Sequence, residues 1–338
     1  MVPDHPIYSD FRNEVKRLER RHDRELVSFP RQIGAIAHYY LNKRLLILND
    51  KDIEFDERLG RPVPYLAFWF ADAFGLKDKQ TIRQLAASLM YISLWVSIRD
   101  DLQDGRAAVG GKTVCEHAYV YLANIYYSKY TDIFREMFPP ESRFWYILTD
   151  CLDQWWKYNS WSFLFSYNNN TDPLSKMFLS KASSYLPAII LPTLAAIALL
   201  TKNHMKIPLV AGFLKHYWMG WKIVDDIRDW EKDLKVRKYN HSSILYYSLK
   251  KASKQSRFGP EDVISTFLDE NSIKKIYNAM LEFYKAARRD AQKVGSVYVS
   301  KFMDTQIEFH SDERDCLLRS RLQFIRNLEN VIEKYIDS

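Results

Sequence analysis

The sequence is poor in the residues that punctuate a chain. Ten glycines and 12 prolines in 338 residues are too few for a turn-rich β fold, and alternating apolar and polar runs of the strand type are scarce. Three cysteines, Cys115, Cys151 and Cys316, have no Cys-x-x-Cys spacing and no matching histidine pair, which argues against a disulfide framework or a zinc site. The histidines show no ligand spacing either. The first residues, MVPDHPIYSDFRNEVKRLERRHDR, lack the apolar centre of a signal peptide. A cytoplasmic protein is therefore expected, with the sequons at Asn169 and Asn240 unglycosylated.

Nor is there a membrane-length apolar run. The best candidate, SYLPAIILPTLAAIALL at 184–200, falls short of the roughly 20 apolar residues a spanning helix needs. With Pro187 and Pro192 inside it, it reads as a buried core helix with a bend. No long linker, composition shift or repeated unit divides the chain, so one domain is expected over 1–338. The net charge of +7 is spread along the sequence; it marks no nucleic-acid binder and suits an anionic small substrate.

What the sequence has in excess is ring surface. Nine Trp, 22 Tyr and 19 Phe are more than a core needs, so some rings are expected to line a cavity. Helical periodicity dominates nearly everywhere, and the fold class read from it is all-α. Helices are expected at 10–26, 30–48, 63–74, 79–104, 113–137, 142–166, 174–200, 207–235, 241–250, 261–268, 272–292, 296–308 and 312–336. Breaks fall on turn chemistry such as GRP at 60–62, FPPES at 138–142 and RFGPED at 257–262.

Two acidic clusters stand out. SIRDDLQDG at 97–105 sets Asp100, Asp101 and Asp104 at the end of one apolar run, and KIVDDIRDWEKD at 222–233 sets Asp225, Asp226, Asp229 and Asp233 at the end of another. On helices, residues at i, i+1 and i+4 lie within one turn, so each cluster is expected to project together and to repel itself. Divalent cations remove that cost, because carboxylate oxygens are what Mg²⁺ binds while water and phosphate fill its other positions. The alternative is a pair of solvated faces balanced by Arg99, Arg106, Lys222, Arg228 and Lys232. Two clusters about 125 residues apart, each closing a buried-type helix, favour a site.

With these motifs the chain resembles the class I isoprenoid synthases, which comprise the trans-prenyltransferases and the class I terpene cyclases. DDLQD at 100–104 is similar to the family's first aspartate-rich motif. DDIRDWEKD at 225–233 resembles its second, in the D-D-x-x-D form or the cyclase form, from which Asp229 and Asp233 depart in place of Ser/Thr and Glu. LSKASSYLPA at 179–188 resembles the diphosphate-binding Lys-Thr of prenyltransferases and also lies near the place of the cyclases' sensor arginine, which points to Lys181 as a diphosphate ligand. The resemblance implies a single all-α helical bundle around a deep central pocket, with three magnesium ions holding an allylic prenyl diphosphate. Asp100, Asp101 and Asp104 would hold two ions and Asp225, Asp229 and Asp233 the third, with Asp226 able to replace one of these. A homodimer is a family expectation.

Loss of diphosphate leaves a carbocation, and what traps it separates cyclisation from chain elongation. Elongation needs a second diphosphate site, built in the family from basic motifs that are thinned here to Arg61 and Arg106. Such a site would bind a dianion weakly. Ring faces, by contrast, hold a cation without acting as a base. Trp221, Trp218 and Tyr217, at i−4, i−7 and i−8 from Asp225, are expected to face the cavity; Ser97 and Ser93 take that place below Asp100 and Asp101, and Trp95 is turned into the core. Trp155, Tyr158 and Phe165 form a stripe that is a third cavity wall or core packing.

Other signals carry less. RAAVGGKT at 106–113 approaches a phosphate-binding loop but has Arg106 where its first glycine should stand. Arg228 and Lys232 are candidate diphosphate ligands, and Arg319 or Arg321 candidates for a pocket lid. The expected activity is a terpene cyclase acting on a C15–C25 diphosphate, C20 favoured. A chain-elongating prenyl diphosphate synthase and a non-catalytic prenyl-diphosphate-binding subunit are the alternatives.

Overall fold

The structure, a computed structural model, describes residues 6–41, 62–103, 108–109, 112–113, 116–167, 176–235 and 269–336. Side chains are described for 7–41, 62–103, 116–160, 187–228 and 269–322. The fold is all-α: α1 Pro6–Leu26, α2 Arg31–Tyr40, α3 Val63–Phe74, α4 Lys79–Gln103, α5 Glu116–Met137, α6 Arg143–Tyr167, α7 Lys176–Leu200, α8 Ile207–Lys235, α9 Glu270–Val294 and α10 Val297–Ile336. A hairpin of two-residue strands, β1 Ala108–Val109 and β2 Lys112–Thr113, pairs antiparallel between α4 and α5. The helices expected at 241–250 and 261–268 lie outside the described residues, as do Arg61 and Arg106. Among the described residues no helix is long and apolar enough to cross a membrane.

Contacts gather the chain into two compact units, Met1–Asp153 with Ala188–Ala211 and Ala291–Val299, and Gln154–Pro187 with Gly212–Asp290 and Ser300–Ser338. In the first, α4 packs chiefly on α5 and α3. The reason is visible in α5, where Tyr119, Leu122, Ala123, Tyr126, Tyr130 and Phe134 recur at helical spacing and are all buried. Each such ring contributes roughly 1.5–3 kcal/mol by leaving water. Phe144 of α6 extends the stack, 4.5 Å from Phe134 and 4.4 Å from Phe138 between ring centroids. Helix α3 ends at Gly75, whose φ of 74° lets Leu76 N–H return to the Ala71 carbonyl at 2.9 Å.

A polar knot ties α1 into this unit. Glu25 accepts hydrogen bonds from the Tyr91 hydroxyl at 3.0 Å and the Lys129 ammonium at 2.9 Å, and buried His22 bonds Tyr126 at 2.9 Å. The neighbouring His22 imidazole, with Lys129 and Tyr91, holds the Glu25 carboxyl far below the usual range against the opposing pull of burial.

In the second unit α8 runs close against α9. A Cβ on Gly220 would fall 2.4 Å from the Tyr284 ring, and one on Gly212 3.1 Å from Asp290, so glycine sets this approach. His216 Nδ1 and Asp290 meet at 2.8 Å beside it. Helix α10 joins through Arg288–Asp304 and Arg314–Asn278. It corrects the sequence reading of two helices, 296–308 and 312–336, because no break occurs. His310 is buried and stacks on Tyr284 at 5.5 Å, while the Ser311 hydroxyl donates back to the Ile307 carbonyl at 2.6 Å. Tertiary packing of His310 keeps the turn helical.

Candidate active site

The first aspartate pair sits in the last turn of α4. Leu94, Ile98 and Asp101 are spaced i, i+4 and i+7 and are all buried, whereas Asp100 is exposed. Consecutive residues on a helix diverge by about 100°. The expectation that Asp100 and Asp101 project together is therefore corrected: Asp100 turns outward and Asp101 inward. Burial of a carboxylate demands partners, and Asp101 Oδ2 accepts the Tyr40 hydroxyl of α2 at 2.7 Å. Tyr119 is close by; burial first, then Tyr39 and Asp101, raise its phenol pKa. Ser93 and Ser97 are half-buried, with Ser93 donating to the Leu89 carbonyl at 2.8 Å. Trp95 is 4% exposed and packs on Tyr127 at 5.3 Å, a core ring as expected. Asp104 lies outside the described residues.

The second pair, on α8, divides the same way. Asp226 has no exposed side-chain surface while that of Asp225 is 52% exposed. Here the inward carboxylate is met by a cation on its own helix. Lys222 donates to Asp226 Oδ1 at 2.5 Å and stands 3.8 Å from Asp225 Oδ2. Burial alone would discharge this lysine, but the charges of Asp226 and Asp225 and the hydrogen bond outweigh it and raise its pKa. It stays an ammonium. Tyr158 of α6 is near enough to add to that effect. The side chains of Lys181, Asp229, Lys232 and Asp233 lie outside the described ones, although α7 and α8 run through their positions.

The aromatic residues below Asp225 separate by direction. Trp218 and Trp221 are half-buried, and the Arg228 guanidinium lies over the Trp221 ring at 5.9 Å. Tyr217 is 1% exposed and packed among Phe213, Trp218, Tyr284 and Phe302 at ring distances of 5.3–6.2 Å. Eight residues back from Asp225 its direction is about 80° off. This corrects its expected place as a cavity ring; it is a core ring between helices. Trp155 is fully buried edge-on to Trp156 at 4.7 Å, and Tyr158 is half-buried. The Phe165 side chain is outside the described ones, and Arg321 pairs with Glu270 at 3.6 Å.

Among the described residues no group of three or more His, Cys, Asp or Glu is gathered to hold a metal ion. The donors that are described fit magnesium in kind: Asp100 and Asp225 expose hard carboxylate oxygens, while Asp101 and Asp226 are buried against Tyr40 and Lys222. Sequence reasoning did not anticipate Tyr40, which lies 61 positions from Asp101. Lys222 was visible as a balancing charge, through its i,i+4 spacing to Asp226.

No protein-family model and no curated protein matches this sequence. Likeness appears in three dimensions. A geranylgeranyl pyrophosphate synthetase from the archaeon Geoglobus acetivorans superposes with a TM-score of 0.67 at 15% identity, over 90% of this chain and 99% of the other. A polyprenyl synthase from Roseobacter denitrificans gives 0.61 at 12% identity, over 91% and 97%. The chain has the class I isoprenoid synthase fold. An isoprenoid synthase fold with so little shared sequence leaves the chemistry to be argued from the chain's own residues.

Proposed function

We propose that this protein is a magnesium-dependent terpene cyclase that ionises a linear allylic prenyl diphosphate and closes the resulting carbocation into rings, releasing diphosphate. The observation that carries the reading is the repeated division of the aspartate pairs, with Asp100 and Asp225 outward and Asp101 and Asp226 inward and bonded. Two solvated acidic faces would need no such support beneath them.

In this reading Asp100 and Asp104 would hold two Mg²⁺ ions, and Asp225, Asp229 and Asp233 the third. When bound, the metal supplies positive charge to the departing diphosphate. Lys181, Arg228 and Lys232 bind its oxygens, as cations of fixed position stabilise developing negative charge. Trp218 and Trp221 offer ring faces to the cation. The thinned basic stretches around Arg61 and Arg106 favour one diphosphate over two, hence cyclisation. A cytoplasmic enzyme using a C15–C25 substrate, C20 favoured, completes the proposal.

Chain elongation is the second reading, supported by the two similar structures, whose names are those of prenyl-chain synthases. Incubation with geranylgeranyl diphosphate and Mg²⁺, with and without isopentenyl diphosphate, separates the two. A hydrocarbon or alcohol formed without the second substrate is the expected result. Turnover only in its presence, giving a longer diphosphate, would replace cyclisation by elongation, and binding without any turnover would leave a prenyl-diphosphate-binding subunit.

A further inference from the structure

The two inward aspartates are satisfied by different chemistry. Asp101 accepts a hydrogen bond from the Tyr40 phenol, whereas Asp226 accepts one from the Lys222 ammonium, whose charge offsets its own. We propose that Lys222 is a resident counter-cation of the second aspartate pair, keeping Asp226 out of metal coordination and moderating how tightly Asp225 and its neighbours bind a divalent ion. The inference rests on the proposed metal-dependent reading and deepens it.

The geometry supports this in three ways. Lys222 is a short i,i+4 partner of Asp226, and Asp226 has no exposed side-chain surface, so its carboxylate is enclosed with the ammonium. The same ammonium lies 3.8 Å from Asp225, whose exposed carboxylate is the one presented outward. Its own side chain is only 19% exposed, so solvent screens its field weakly. A fixed positive charge at that distance opposes a dication bound to Asp225. Asp226 cannot turn to a metal without taking from the largely buried Lys222 its nearer carboxylate, leaving only Asp225 at 3.8 Å, which is unfavourable.

The probe is Mn²⁺ alone, titrated into the full-length protein and followed by electron paramagnetic resonance and by thermal unfolding. Lys222→Gln removes the charge but keeps an amide that can donate to Asp226. It is expected to bind Mn²⁺ on the order of tenfold tighter at one site and to show a larger Mn²⁺-dependent rise in Tm than the parent. Should Lys222→Gln be unstable without metal, recovery of the parental Tm on adding Mn²⁺ supports the inference, and no recovery overturns it. In Lys222→Gln/Asp226→Asn, where the carboxylate itself is gone, most of the gain should disappear. Equal Mn²⁺ affinity and equal thermal response in parent and Lys222→Gln would overturn the role of Lys222. If Asp225→Asn weakens Mn²⁺ binding in the same experiment, the metal-dependent reading survives that failure. If the parent binds no Mn²⁺ and Asp225→Asn changes nothing, both fall together.

Discussion

The Tyr40 hydroxyl of α2 donates to Asp101 Oδ2 of α4 at 2.7 Å, with both side chains buried. This bond gives the inward member of the first aspartate pair a buried partner. A hydrogen bond to a buried charge is worth about 1.5–3 kcal/mol, so Tyr40→Phe should lower unfolding stability by about that amount. Urea titration of the two proteins measures it. A change within about 0.5 kcal/mol, the ordinary range for surface substitutions, would show that Asp101 is satisfied without Tyr40.

The outward and inward aspartates should fail differently when mutated. Asp100→Ala and Asp225→Ala remove exposed carboxylates and should leave Tm nearly unchanged, while turnover of an allylic diphosphate falls by about 10²–10³-fold or more, the scale for loss of one charge-stabilising group. Asp226→Ala removes the nearer partner of the Lys222 ammonium, leaving only Asp225 at 3.8 Å, and should cost about 3–5 kcal/mol of stability. Steady-state kinetics beside thermal unfolding separates the classes. Near-parental activity in Asp100→Ala would remove the aspartates from the chemistry.

Two glutamates of α1 should shape stability against pH in opposite directions. Glu19 is 3% exposed, and its Oε2 has no hydrogen-bond partner among the described residues; burial, then the Asp23 charge, push its pKa from 4.5 up to about 8, with Lys16 opposing. Its folded pKa is above the unfolded value, so its favourable state is complete below pH 4.5 and is lost progressively as pH rises to about 8. Glu25 is depressed below 4.5, so its contribution is present above that pH and is lost as acid is added. Glu19→Gln should match the parent near pH 4.5 and exceed it by roughly 3–5 kcal/mol above pH 8. Glu25→Gln should flatten the acid limb. Denaturant midpoints across pH 3–9 test both, and a Glu19→Gln advantage independent of pH would contradict the assignment.

Legibility in the sequence followed the range of the forces involved. Helix α3 runs over 63–74 as read, because Pro62 and Gly75 bound it by local backbone chemistry. Helix α8 at 207–235 likewise matched, as its apolar run is long and periodic. The continuity of α10 was hidden because it depends on Tyr284, 26 positions before His310 in the chain. The aspartate pairs were found by pattern, yet their orientation was not. A pattern of like charges says that carboxylates are close in sequence; the buried face running through Leu94, Ile98 and Asp101 decides which one turns in. Tyr40 supplies the partner for that carboxylate from another helix, and nothing local to the motif announces it.

Helices α8 and α9 come close together at Gly220. Gly220 lies five positions before Asp225, and a methyl group there would meet Tyr284 Cε1 at 2.4 Å and Cδ1 at 2.7 Å. Tyr284 is fully buried between Tyr217 and His310, so its ring has little room to retreat. Gly220→Ala gains helix propensity of about 1 kcal/mol, but overpacking a tight core typically costs about 1–3 kcal/mol or more. The clash should win, and Gly220→Ala should lower Tm. Tyr284→Leu alone should also destabilise, by loss of ring burial. Combined with Gly220→Ala it should cost less than the sum of the two, because the added methyl then occupies vacated space. A double-mutant cycle by thermal unfolding reads that coupling. Strict additivity would mean that the close approach of α8 and α9 at this point does not depend on glycine facing the Tyr284 ring.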